Sequence, residues 1–307
     1  MIVYLDPKLV GKDNFNTLVE RYPEIEFVTN IDRKNEIEVL IPFNPNYVMG
    51  INVLEYPNLK WIQYFSAGFD GVDLSHLKAN GILFSNAQEI YSKAIAEDVF
   101  SKILFFNRSF KHYLQSMKEK KWQPIPNHIE LTNSTALILG VGSIGKELAK
   151  RFKAFEMTVI GYRRNAKKEA NFDKIITLDT DLNTELCNAD YVILALPLNE
   201  ETESMFDKSK LQLMKKDSLL INVARGKIVN QDDLYHTLKN KQIRGAGLDV
   251  FDPEPLPSNN PLWELDNVFI TPHNASSSIY MQDRLLSLII MNLDLYLDNK
   301  AVNYQIV

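Results

Sequence analysis

Three short segments hold side chains that together could do acid–base chemistry on an acidic substrate. They are Asn222-Val223-Ala224-Arg225-Gly226, the run from Gly247-Leu248-Asp249 to Glu254-Pro255-Leu256, and Thr271-Pro272-His273. The guanidinium of Arg225 is planar, and its fork grips a carboxylate through two bonds while polarising a neighbouring carbonyl. The imidazole of His273 can give a proton to an oxygen that is gaining negative charge, and accept it back in the reverse direction. A carboxylate beside the ring, Glu254, favours the charged imidazole and fixes its orientation. Given a hydride donor, such a set suits reduction of a carbonyl next to a carboxylate, a 2-oxo acid going to a 2-hydroxy acid. Singly, each residue reads otherwise: an Arg in a surface ion pair, a Glu solvated in a Pro-rich loop, a His capping a helix. Their joint placement after three successive apolar runs argues for a site.

The elements that must position them are legible as two series of alternating strands and helices. The first has strands at Ile2–Leu5, Glu26–Val28, Ile37–Pro42, Trp61–Phe65 and Ile82–Phe84, with helices at Phe15–Arg21 and Leu74–Ala79. The second has strands at Ala136–Leu139, Met157–Tyr162, Tyr191–Leu196, Leu219–Val223, Gly245–Val250 and Val268–Thr271. Its helices fall at Ile144–Phe155, Lys208–Met214 and Gln231–Asn240, and a final one at Ile279–Leu297. Between the series, apolar residues from Ile95 to Phe110 recur at helical spacing, which predicts one long helix from about Ser92 to Trp122. Strands alternating with helices imply open parallel sheets covered on both faces, hence an α/β chain of two unequal domains. In such sheets ligands bind beyond the carboxyl ends of the strands, where Arg225, Glu254 and His273 all fall.

A hydride donor has its own signature. Gly140-Val141-Gly142-Ser143-Ile144-Gly145 follows an apolar strand and opens an amphipathic helix. The first Gly permits the tight turn, the second lets a pyrophosphate approach the backbone, and the third lets helix and strand pack closely. The pyrophosphate then rests on the unpaired amides of the helix N-terminus. An NAD-selective site places an acid at the end of the next strand, but here that strand ends Tyr162-Arg163-Arg164-Asn165. Two guanidiniums suit a 2′-phosphate, so the expectation is NADP(H), with NAD as the lesser alternative.

Composition narrows the class further. The chain has 307 residues, 45% hydrophobic and 24% charged, enough for two cores and unlike a disordered or fibrous sequence. Its net charge of -5 argues against a nucleic-acid partner. No apolar run reaches the length of a membrane span and no leader pattern opens the chain, so the expected setting is cytoplasmic. Cys187 is the single cysteine, which excludes an internal disulfide, and it lacks neighbours that would make it a nucleophile. No His/Cys/Asp grouping has metal-ligand spacing, so no metal is expected.

With these motifs in hand, the chain resembles the D-isomer-specific 2-hydroxyacid dehydrogenase family over nearly its whole length. The likeness is carried by Ser66-Ala67-Gly68-Phe69-Asp70, Ile95-Ala96-Glu97, the strand and glycine turn of 137–145, Ala195-Leu196-Pro197-Leu198 and the three segments above. The resemblance implies a Rossmann dinucleotide-binding domain, residues 99–272, and a smaller flavodoxin-like substrate domain, residues 1–98 completed by 273–307. It implies an active site in the interdomain cleft, with Arg225, Glu254 and His273 as the catalytic set. It further implies that the Ala67 and Gly68 amides form a second carboxylate site, and that Pro197, Ala224 and Asp249 line the cofactor, Asp249 at the nicotinamide amide. The helix near 98–115 resembles the arm through which such enzymes form homodimers. Arg163 stands where NAD-using relatives carry an acid, as in the NADPH-using glyoxylate/hydroxypyruvate reductase branch, and Glu156 replaces a common glycine. The formate dehydrogenase branch has Gln where Glu254 stands. Phe43, Tyr47, Phe69 and Tyr280 are the candidates for sensing the substrate side chain. Two alternatives stay open: an NAD-dependent dehydrogenase working oxidatively, and a catalytically silent NAD(P)H-sensing protein of the same fold.

Overall fold

The computed structural model describes residues 1–177 and 182–307 and divides them into two compact units, Met1–Tyr91 with Ser278–Val307, and Ser92–Ser277. The sequence reading put the divisions at 98/99 and 272/273. The first division falls earlier, at 91/92, where the helix that starts at Ser92 buries Ile95, Ala96, Val99 and Ile103, and the second falls later, at 277/278.

The first unit runs β1 (Ile2–Leu5), α1 (Pro7–Val10), α2 (Lys12–Arg21), β2 (Glu26–Val28), β3 (Val39–Ile41), β4 (Trp61–Gln63), α3 (Leu74–Ala79) and β5 (Leu83–Ser85). The strands pair in parallel in the order β2-β1-β3-β4-β5, the flavodoxin-like order. Val39, Leu40 and Ile41 are fully buried, as a strand covered on both faces requires. Each such side chain contributes roughly 1.5–3 kcal/mol on leaving water.

The second unit begins with α4 (Ser92–Asn107) and α5 (Phe110–Lys118). The single long helix expected over 92–122 is thus two helices. Ser109 takes a left-handed backbone (φ 54), which ends the first and starts the second. Then come β6 (Thr135–Leu139), α6 (Ser143–Ala154), β7 (Thr158–Tyr162), β8 (Lys174–Ile176), α7 (Leu182–Asn188), β9 (Tyr191–Leu194) and α8 (Lys208–Leu211). The unit closes with β10 (Leu219–Asn222), α9 (Gln231–Lys239), β11 (Gly245–Leu248) and β12 (Val268–Ile270). All pairings are parallel, in the order β12-β11-β10-β9-β6-β7-β8. Its core is the dinucleotide-binding order with one strand added beyond β11. The edge strand β8 went unread in the sequence, since three residues offer no period to detect. Phe100 of α4 packs on Phe152 and Phe155, ring centroids 4.7 and 5.4 Å away, fixing α4 against α6.

The chain then returns to the first unit as α10 (Met281–Leu297). Asn292 of α10 donates to Gln63 Oε1 at 2.7 Å, an oxygen that also accepts from the Ser85 hydroxyl. Beyond the helix, the segment 304–307 runs antiparallel to β5, with Phe84 N bonded to Val307 O and Ile306 N to Phe84 O. Among the described residues, no helix is long and apolar enough to cross a membrane.

Candidate active site

The glycine turn lies between β6 and α6 as its spacing demands. Gly140 has φ 112, and a Cβ there would stand 2.3 Å from the Ala195 carbonyl oxygen. A Cβ on Gly145 would stand 2.1 Å from the Gly140 oxygen. Gly142 differs: a Cβ there would meet nothing within 4 Å. That open approach lies at the N-cap of α6, which has no side-chain cap, beside the amides of Ser143 and Ile144. The cradle fits the pyrophosphate arm of a dinucleotide, because the open approach at Gly142 lies at the positive end of a helix. Pro197, beyond β9, is exposed, and its carbonyl accepts from the Thr202 hydroxyl at 2.7 Å.

Past β7, Arg163 and Arg164 do not stand alone. Arg163 Nη1 lies 3.7 Å from Glu169 Oε2, and Arg164 Nη2 lies 2.9 Å from Glu201 Oε2. Lys146, in the first turns of α6, reaches the same Glu169 oxygen at 3.0 Å. This contact, despite a smaller opposing effect of burial, holds the Glu169 carboxyl below its ordinary range.

Three loops carry the candidate side chains Arg225, Glu254 and His273, and each is fixed by a neighbour. Asn222, buried at the end of β10, accepts from Ala224 N at 3.1 Å and donates to the Arg225 carbonyl at 3.1 Å. This two-way clasp shapes the turn that presents Arg225, whose Nη1 donates to the Ala224 carbonyl at 2.7 Å. Gly226 follows, and a Cβ on it would stand 2.0 Å from the Phe251 carbonyl. Only glycine lets the Arg225 loop lie against the Phe251 loop. Phe251 N in turn donates to Glu254 Oε1 at 2.9 Å, leaving Oε2 to face His273 Nδ1 at 2.7 Å. The side chains of Glu254 and His273 remain 34% and 50% exposed, so ring and carboxylate are both reachable by a ligand.

His273 sits in a left-handed backbone (φ 50), a conformation seldom stable without support. Asp249, buried after β11, supplies it. Its Oδ1 accepts from Thr271 Oγ1 at 2.5 Å and Asn274 N at 2.9 Å, and its Oδ2 from Ala275 N at 3.0 Å. Its carbonyl accepts from His273 N at 2.7 Å. In this structure the Asp249 carboxylate therefore holds the histidine loop. Behind β11, Lys102 of α4 is fully buried, ion-paired with Asp98, and packs against Gly247. Burial pushes the Asp98 carboxyl up, and the charge of Asp249 adds to that push.

In the first unit, the loop after β4 carries Ala67 and Gly68. Asn86 donates to the Ala67 carbonyl at 2.7 Å, Ala87 N to the Ser66 carbonyl, and the Tyr91 hydroxyl to the Phe65 carbonyl. These bonds hold the loop by its carbonyls. Of the aromatics picked as specificity candidates, Tyr47 and Phe69 pack against this unit's core, with Tyr47 edge-on to Tyr4 and Phe69 edge-on to Phe84. Phe43 and Tyr280 are exposed. Among the described residues, no group of three His, Cys, Asp or Glu side chains could hold a metal ion.

Sequence reasoning did not single out Asn222, Gly226, Thr271 or Glu169. The first three were visible as neighbours of the candidate residues; Asn222 acts within its own turn, whereas the roles of Gly226 and Thr271 depend on loops far apart in the chain. Glu169 gave no signal, because it reaches Lys146 only once the strand, helix and loop are folded together.

Comparison with known proteins supports the same reading. The D-isomer specific 2-hydroxyacid dehydrogenase NAD binding domain matches residues 100–275. A D-3-phosphoglycerate dehydrogenase of Methanocaldococcus jannaschii is 34% identical over 269 residues, covering 85% of this chain but 51% of its own, so this chain spans about half that relative's length. A glyoxylate reductase of Pyrococcus horikoshii is 33% identical over 252 residues, covering 77% of this chain and 73% of its own. The crystal structure of a D-isomer specific 2-hydroxyacid dehydrogenase family protein from Aeromonas salmonicida superposes with a TM-score of 0.86 at 29% identity, covering 100% of this chain and 98% of that one. With the glycine cradle, the parallel sheet order and the paired His273 and Glu254 already in place, these matches make the chain a member of the D-isomer specific 2-hydroxyacid dehydrogenase family, nicotinamide-dependent oxidoreductases of the CH–OH group.

Proposed function

We propose that this protein is an NADPH-preferring reductase that converts 2-oxo acids to D-2-hydroxy acids. The observation that carries the reading is the 2.7 Å pairing of His273 Nδ1 with Glu254, beside the clasped loop of Arg225. Nε2 of the ring is then the atom that gives a proton to the substrate oxygen. Glu254 holds the ring in orientation and stabilises its positive charge until the proton leaves. Arg225 takes the substrate carboxylate in its fork and polarises the adjacent carbonyl. The Ala67 and Gly68 amides are a second holding point for that carboxylate, and Asp249 keeps the histidine loop in place. The glycine turn, Ser143 and Ile144 hold the pyrophosphate of the dinucleotide, with Ala224 and Pro197 along its nicotinamide half. When bound, the dinucleotide supplies the hydride to substrate C2. Arg163 and Arg164 hold the 2′-phosphate. The protein works as a homodimer through the apolar face of α5.

The deciding experiment follows NADPH and NADH oxidation against glyoxylate, hydroxypyruvate, pyruvate, branched oxo acids and phenylpyruvate, with chiral analysis of the product. D-products formed faster with NADPH are expected; L-products, or no turnover on any acid of the panel, would overturn the reading. In the same assay His273→Ala should lower kcat by at least about a hundredfold, the usual worth of a proton donor, with dinucleotide affinity little changed. Retained turnover would remove His273 from its role. A second reading, an NAD-dependent dehydrogenase, is favoured by the carboxylates that already pair with both arginines. Equal or better use of NADH would select it.

A further inference from the structure

The loop after β7 carries an acid, Glu169, that pairs with cations of the strand end and of α6. Glu169 comes from the loop between β7 and β8, seven residues past the close of β7 at Tyr162. That loop is pinned: a Cβ on Gly161 of β7 would stand 2.7 Å from the Phe172 ring, so the ring lies directly on the strand. Phe172 N is bonded to the Glu169 carbonyl. The side chain of Glu169 is only 20% exposed, and one of its oxygens serves both Lys146 at 3.0 Å and Arg163 at 3.7 Å. One of those cations stands near the helix start and the other at the strand end, the region where this fold reads a nucleotide's 2′ substituent.

We propose that Glu169 is the specificity-determining acid of this site, accepting the 2′-hydroxyl of NAD(H) and opposing the 2′-phosphate of NADP(H). The inference rests on the reading of Arg163 as the phosphate-side cation. The physical reason is competition for two charges. With the carboxylate in place, Lys146 and Arg163 are partly neutralised, and an incoming dianion meets a like charge a few ångströms away. A hydroxyl meets an acceptor there. Glu169 must therefore swing aside before the phosphate can take both cations, and the energy of breaking its pairs is subtracted from NADP(H) binding but not from NAD(H) binding. The Arg163-Arg164 strand end and Glu169 thus pull in opposite directions, which makes the protein usable with either dinucleotide.

Isothermal titration with adenosine 2′,5′-bisphosphate and with AMP tests this on the intact protein without turnover. Glu169→Gln should tighten the bisphosphate about tenfold and weaken AMP about two- to threefold, as expected for removing one partly screened charge near a dianion. Glu169→Asp, which keeps the charge, should stay close to wild type, and Lys146→Gln should weaken the bisphosphate alone. If Glu169→Gln shifts both probes equally, or neither, the assignment is wrong. Should that variant fail to fold, unequal loss of the two probes in Lys146→Gln supports the proposal and equal loss overturns it. The preference in wild type reports on the NADPH reading, and the change of preference between variants reports on Glu169, so the two can fail separately.

Discussion

At the scale of single residues, the site depends as much on what is absent as on what reacts. Gly226 carries no chemistry, yet the Arg225 loop can approach Phe251 only because position 226 has no Cβ. A methyl there would meet backbone at 2.0 Å, and backbone cannot rotate away as a side chain can. Gly226→Ala should therefore displace Arg225 relative to the Glu254 and His273 pair. We expect kcat/KM to fall more than about tenfold, and stability to drop by the roughly 1–3 kcal/mol typical of an overpacked position. Steady-state kinetics and a thermal melt check both; unchanged kinetics in a folded protein would show that this approach is not required. Asp249 makes a related point. Its oxygens collect a hydroxyl and two amides, so that the left-handed His273 keeps its place in a loop without regular structure.

Among the elements, the join between α2 and α10 shows how the first unit is closed. Asp294 of α10 accepts from the Tyr22 hydroxyl at 2.6 Å and pairs with Arg21 at 2.9 Å. The Tyr22 bond, helped by Arg21 and partly opposed by burial, holds the Asp294 carboxyl below its ordinary range. Burial above all, with Asp294 adding to it, pushes the Tyr22 hydroxyl up to about 12. A depressed acid stabilises the fold fully above the unfolded aspartate value of about 4, and that contribution is lost as pH falls through the lower folded value. Asp294→Asn should thus cost a few tenths to about 1 kcal/mol at neutral pH, the range of solvent-screened pairs, and nearly nothing in strong acid. Urea melts at neutral pH and near pH ~3 separate the cases; a cost that did not shrink in acid would refute the ionic account. The Asp98 and Lys102 pair in the second unit is the contrasting case. It is internal to α4, and removing either partner would strand a buried charge.

At the scale of the whole molecule, one helix carries a stripe of exposed apolar side chains. Phe110, Leu114 and Met117 of α5 stand at spacings of four and three and are all exposed, and Trp122 just beyond is 98% exposed. In the proposed dimer, a partner's surface would cover this stripe. The double variant Leu114→Glu, Met117→Glu should lower the mass measured by light scattering from that of a dimer to that of a monomer. A wild-type monomer, or a variant that remains dimeric, would remove α5 from the interface.

Much of this protein's fold is legible in its sequence. The strand cores, the parallel α/β class and the glycine turn follow from local periodicity and from turn chemistry, which act over a few residues and leave a trace in the sequence. The split of α4 from α5 escaped because the apolar spacing runs on through the break, and nothing in Ser109 itself announces a left-handed backbone. What only the tertiary structure decided were the pairings between distant segments. These are Gly226 against Phe251, Asp249 beneath the histidine loop, the tail 304–307 beside β5, and Glu169 between Lys146 and Arg163. The sequence puts two arginines at the end of β7, but an ion pair is a matter of distance. Whether those charges stand open or already engaged is set by which loops the fold brings within a few ångströms, because electrostatic and steric contacts act through space and carry no sequence period.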